Sequence, residues 1–200
     1  MFEILTTIKT IGVKNILAMQ GETSLGESKE DFPYAYNLVK YIRETFSDYF
    51  CIGVTGYPSG HPRSPNLNED LAHLKQKIDS GAQFIITQAV FDIDTYRSFY
   101  TRCSAVGINV PIVPGLFVIN SYSSLIKMAR LCKLHLPDDL MKFMQDNKDN
   151  ADVIEEYGIS SFTNIVEQLF NSDDLPIYCV HIFTLNNFDI LEKALSRLNL

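Results

Sequence analysis

The chain reads as an α/β protein built on a parallel sheet, and three observations predict it. Short apolar runs rich in Val, Ile and Phe recur about 30 residues apart, each followed by a stretch with helical spacing. The runs are apolar on both faces, as strands must be when helices cover the sheet. Polar residues gather just after the runs, at Gln20-Gly21-Glu22, Tyr57 to His61, Gln88 and Thr184 to Asn187. Barrels and doubly wound sheets both build their sites at that end of the strands.

The elements follow in order. Residues 1–11 predict a helix with Phe2, Leu5 and Ile8 at spacings of three, closed by Gly12. Asn15 to Met19 is a short strand, and residues 23–31 are polar and turn-rich. Phe32 to Phe46 has a helical stripe of Ala35, Leu38, Val39, Ile42 and Phe46. Cys51 to Thr55 is the second strand; Leu67, Leu71, Leu74 and Ile78 mark a helix ended by Gly81. Phe84 to Val90 is the third strand, with a helix from Thr95 to Val106 before Gly107. Pro111 to Phe117 is the fourth, with a helix from Ser121 to Cys132. A short helix near 137–146 and a longer one over 149–171 form an insertion before the last strand, Ile177 to Phe183. Asn186 to Leu198 closes the chain as a helix, with Leu191, Ala194, Leu195 and Leu198 inward. Five strands suit an open doubly wound sheet and fall short of the eight of a closed barrel; composition does not choose between them.

The 200 residues form a single domain with enough chain for a sizeable core. A net charge of −7 without a Lys/Arg cluster argues against nucleic acid or an anionic membrane surface as partner. The longest apolar runs are too short to span a bilayer. The first residues carry Glu3 and no small-residue cleavage site, so they do not read as a secretory signal. Cys51, Cys103, Cys132 and Cys179 are scattered without a CxxC pair, which suits free thiols in a reducing, cytoplasmic compartment. No metal-ligand spacing, nucleophile elbow or GxGxxG occurs.

The most informative stretch is GVTGYPSGHPRSPNLNED, residues 53–70: a strand, a Gly/Pro-studded loop with His61, and a helix start. That layout suits a phosphorylated cofactor, because helix N-termini present free N–H groups. Gln88 stands in an apolar strand, where an amide must find partners or cost about 1–3 kcal/mol.

Together with its neighbours, this stretch resembles a known family. NILAMQGE (15–22), GYPSGHP (56–62), DLAHLKQKIDSGAQFIITQAVFD (70–92), PIVPGLF (111–117) and HIFTLN (181–186) occur in the order and spacing of methylenetetrahydrofolate reductases. The resemblance covers nearly the whole chain and the later part of that family's catalytic barrel. It implies a partial (β/α)8 TIM barrel whose five parallel strands are the fourth to eighth, with a helical insertion before the last. It further implies FAD at the carboxyl ends of the strands, NAD(P)H as reductant, and reduction of 5,10-methylenetetrahydrofolate to 5-methyltetrahydrofolate in one-carbon metabolism.

Residue by residue, the resemblance implies flavin contacts at Gln20, Gly21, Glu22, Tyr34, Ala35, Tyr57, His61, Pro62, Arg63, Ser64, Asp70 and Lys77. Glu22 is the implied catalytic group, a carboxylate near the flavin that disfavours its anionic reduced form. Gln88, Phe183 and Asn187 are the implied folate contacts. Gln20 and Asn187 stand where the family has Arg, and Phe183 where it has Tyr. The family's general-acid glutamate belongs to the first strand, which this chain lacks. The chain is therefore expected to be an incomplete domain, weakly active or inactive alone, with open sheet edges that favour homo-oligomers. The alternatives are a non-catalytic paralogue that binds flavin or folate and, less favoured, an unrelated five-stranded α/β binding domain.

Overall fold

The computed structural model describes residues 1–19 and 32–198. Its elements run α1 (Phe2–Thr10), β1 (Asn15–Ala18), α2 (Ala35–Phe46), β2 (Cys51–Gly56), α3 (Leu67–Asp79), β3 (Phe84–Ala89), α4 (Ile93–Ala105), β4 (Ile112–Phe117), α5 (Tyr122–Cys132), α6 (Asp138–Asp146), α7 (Ala151–Phe170), β5 (His181–Phe183) and α8 (Phe188–Leu195). The five strands pair in sequence order, every pair parallel. They form a curled half-barrel with flanking helices.

Alternation along the strands sorts the two faces. Ile52, Val54, Ile85 and Ile112 are buried on the helix side, in one core with Val39 and Ile42 of α2, Leu71 and Leu74 of α3, Phe99 of α4 and Ile159, Phe162 and Ile165 of α7. Their neighbours Cys51, Thr55, Phe84, Ile86 and Val113 face the other way and are only half-buried. The concave side is thus open. Leu17 and Met19 at its β1 edge are 40% and 49% exposed.

A second, smaller core divides the helical insertion. Leu125 and Met128 of α5, Leu140 and Met144 of α6 and Ile154 at the start of α7 pack on Ala89, Phe117 and Ile119. Those three residues end β3 and β4 or follow them. Further along α7, Ile159, Phe162, Ile165, Val166 and Leu169 belong to the main core. So α5 and α6 sit over the carboxyl ends of the strands, while α7 is the helix that covers the sheet.

Helix stops came out as the glycines predict, with positive φ at Gly12, Gly81 and Gly107. Several boundaries differ from expectation by one to four residues, three of them for a visible backbone reason. α2 starts at Ala35 rather than Phe32, because Pro33 disfavours helix at Phe32 and Tyr34 is extended. β5 is three residues long rather than seven: Ile177 N–H donates to Leu175 O at 2.9 Å, bending the chain at Pro176 before it can pair. α8 starts two residues late because Leu185 and Asn186 hold positive φ. Its buried residues are Ile190 and Ala194, while Leu195, expected inward, is 46% exposed. Among the described residues no helix is long and apolar enough to cross a membrane.

Candidate functional site at the carboxyl ends of the strands

Residues 57–66 connect β2 to α3 and are tied in place from several sides. Gly60 N–H donates to Tyr57 O at 2.9 Å, and Ser64 N–H to His61 O at 2.8 Å. Arg102 of α4 reaches over to Pro58 O at 2.6 Å. Asn66 caps α3, its side-chain oxygen accepting from Glu69 N–H at 2.9 Å. Within this frame the Tyr57 and His61 rings meet edge to face, 4.5 Å between centroids.

His61 Nδ1 accepts from Arg63 N–H at 3.1 Å. That leaves Nε2 as the protonated nitrogen, a donor. Burial lowers the pKa of His61; the nearby Arg63, Lys133 and Lys77 charges lower it too, against an opposing pull from Asp70. The imidazole is therefore neutral at pH 7. Pro62 and Arg63 are exposed.

Asp70 and Lys77 lie two turns apart on α3, on the side that faces β2. Ser64 Oγ donates to Asp70 Oδ1 at 3.1 Å. Lys77 Nζ donates to Thr55 O at 3.0 Å. Burial pushes the Lys77 pKa down and the Asp70 carboxylate draws it back up. A half-buried ammonium bonded to a backbone carbonyl keeps two donor positions, and Asp70 keeps an oxygen.

Gln88, near the end of β3, is 6% exposed, and among the described residues its Oε1 is a buried side-chain oxygen with no hydrogen-bond partner. It shares a crevice with Tyr57, Gly60, Lys133 and His135. Burial raises the Tyr57 pKa, while the Gln88 and Thr55 side chains, placed to bond the phenol oxygen, lower it. The phenol thus stays protonated at neutral pH. About 30 Å³ is open inside, room for water and not for a ring system.

The structure therefore brings together Tyr57, His61, Ser64, Asp70, Lys77 and Gln88. It does not gather every expected residue with them. Tyr34 is exposed and stacks on Tyr36 at 5.6 Å, while Ala35 is buried at the start of α2. Phe183 lies beyond β4, edge-on to His181 at 4.6 Å. Asn187 precedes α8, its N–H held by Thr184 O at 2.9 Å. Gln20, Gly21 and Glu22 lie outside the described residues. Among the described residues no three His, Cys, Asp or Glu form a metal-holding group.

Lys133 and His135 were not anticipated here. A helix after a strand ordinarily runs back to the far end of the sheet, so their loop would be placed there. Only the second core, which seats α5 over the strand ends, brings the loop to the crevice. No local signal in the sequence marks it.

Comparison with known proteins agrees with this architecture. A model of the family described as methylenetetrahydrofolate reductase matches residues 1–199. A probable methylenetetrahydrofolate reductase (NADH) of Oryza sativa subsp. japonica is 37% identical over 198 residues, 92% of this chain and 33% of its own. A probable methylenetetrahydrofolate reductase (NADPH) of Caenorhabditis elegans is 34% identical, covering 96% of this chain and 29% of its own. The chain thus spans about a third of the length of these curated relatives. Among solved structures, an uncharacterized protein from Clostridium thermocellum that binds two copies of 5-methyl-5,6,7,8-tetrahydrofolic acid matches with a TM-score of 0.59. It shares 17% identity, covers 88% of this chain and 64% of its own, and so speaks for the fold. On the family match and the identities together, the chain belongs to the methylenetetrahydrofolate reductase family.

Proposed function

We propose that the strand ends of this chain form the later part of a flavin- and folate-binding site for the NAD(P)H-driven reduction of 5,10-methylenetetrahydrofolate to 5-methyltetrahydrofolate. The observation that carries this reading is the buried, unpartnered Gln88 Oε1 beside a loop that presents donors to an anion. An orphaned amide oxygen costs folding free energy on the order of 1–3 kcal/mol, which a ligand donor would recover. A water held in the crevice, or the amino group of a pterin reaching in from its mouth, is such a donor.

The donor set also fits FAD. Lys77 and the Nε2–H of His61 suit a pyrophosphate, and the free Asp70 oxygen suits ribose hydroxyls. Tyr57 offers a ring edge or face to a planar group, and exposed Arg63 brings a positive charge to the same loop. Because the crevice admits only water, ring systems would lie against its mouth, on the open concave face. Bound FAD would take hydride from the nicotinamide and deliver it to the folate. The residues of this chain bind and orient; Glu22 is proposed to set the charge near the flavin, and Phe183 and Asn187 to meet the folate further along the sheet. A reducing cytosol, where free thiols persist, is the proposed compartment, and self-association the proposed assembly.

A second reading is a non-catalytic module that binds flavin or folate. One experiment separates the two. The purified chain is mixed with FAD, its visible spectrum is recorded, and NAD(P)H is added without air. Stoichiometric flavin that bleaches supports the reductase, and bound flavin that does not bleach supports the module. A colourless chain sinks both. In the bound case His61→Ala and Asp70→Ala each weaken flavin binding; unchanged affinity in both removes the cofactor assignment.

A further inference from the structure

The β3–β4 ladder falls out of step at one place. Ile86 pairs with Val113 and Ala89 with Gly115, so three steps along β3 match two along β4. The extra residue lies within Thr87-Gln88, opposite Pro114, which has no N–H to give to a ladder. Thr87 fills the gap with its side chain. Gly115 N–H donates to Thr87 Oγ1 at 2.8 Å, and the same hydroxyl donates to the backbone oxygen of Gln88 at 2.8 Å. Thr87 is 1% exposed, and its hydroxyl accepts one bond and gives one.

Gly115 completes the device. A Cβ there would stand 2.3 Å from Thr87 O and 2.8 Å from the Phe183 ring. Only glycine lets β4 close on the bulge. Bulges re-aim a side chain beside a site, and the side chain at this one is the Gln88 amide with its unpartnered oxygen.

We propose that Thr87 is the positioning residue for Gln88: its hydroxyl bridge to Gly115 and to the Gln88 carbonyl holds the bulge that keeps the Gln88 amide at the crevice. The role in binding rests on reading Gln88 as the folate contact. The geometry of the bridge does not.

The test compares Thr87→Ser, which keeps the hydroxyl, with Thr87→Val, which keeps the shape and removes it. The chain is titrated with 5-methyltetrahydrofolate and with FAD, and the side-chain amide signal of Gln88 is followed by NMR. Thr87→Ser matches the unmutated chain in all three readouts. Thr87→Val lowers folate affinity about tenfold, the scale of one lost hydrogen bond, and leaves flavin affinity unchanged. The Gln88 amide signal shifts in Thr87→Val alone. An unmoved signal with unchanged folate affinity in Thr87→Val overturns the proposal. A Gln88→Ala chain that binds folate as the unmutated chain does defeats the folate reading separately; the Gln88 signal then decides Thr87. Should Thr87→Val fail to fold, Thr87→Ala takes its place, and failure of both overturns a positioning role in favour of a structural one.

Discussion

Lys77 shows how a proposed binding residue works against its own fold. Its ammonium is half-buried and donates to the Thr55 carbonyl, and among the described residues it has no ion pair at bonding distance, so part of its desolvation goes uncompensated. Lys77→Met removes that cost. The variant is expected to melt at a higher temperature at pH 7 and to lose flavin affinity, checked by calorimetry and flavin titration. The pH dependence has a definite sign. Burial lowers the folded pKa below the ordinary lysine value, so the unfolded chain holds the proton more tightly. Stability of the unmutated chain then rises as pH climbs through the window just below that value, and the advantage of Lys77→Met shrinks there. A gap between the two that does not change with pH contradicts the assignment.

Among the elements, α3 does most to connect fold and site. It starts with the Asn66 cap, buries Leu71 and Leu74, and carries Asp70 and Lys77 on its β2 side. Loss of the cap should therefore be felt in both. Asn66→Ala is expected to lower stability by about 1 kcal/mol in urea unfolding, with Asn66→Asp close to unchanged. The same variant loosens the loop that holds His61, so flavin affinity falls in step with stability. The insertion makes the complementary point. α5 and α6 follow the usual helical spacing, yet they pack on strand ends instead of on the sheet's helix side. Spacing predicts which face of a helix is buried and is silent on what buries it.

The half-barrel presents an open concave face and two sheet edges, β1 and β5, each with one strand partner among the described residues. Leu17 and Met19 stand exposed at the first edge. Unpaired edges beside apolar surface favour association. The 200-residue chain on its own is expected to self-associate with rising concentration, measured by light scattering after size exclusion. Leu17→Lys with Met19→Lys shifts it toward monomer; an unmutated chain that stays monomeric at high concentration counters this.

Much of this molecule was legible in the sequence because its causes are local. The strand runs, helical stripes and the stops at Gly12, Gly81 and Gly107 depend on neighbours a few residues away. So does the 53–70 stretch: a capped helix after a turn-rich loop brings His61, Asp70 and Lys77 together with little help from the rest of the chain. What the tertiary structure alone decided depends on residues distant in sequence. A second core seats α5 and α6 on Ala89, Phe117 and Ile119 and carries Lys133 and His135 to the crevice. The bridge from Thr87 to Gly115 spans 28 residues and exists only where two strands fall out of register. Sequence by itself determined that Gln88 is an amide in an apolar strand. Only packing decided that its oxygen is buried without a partner, because that depends on which chains close over it.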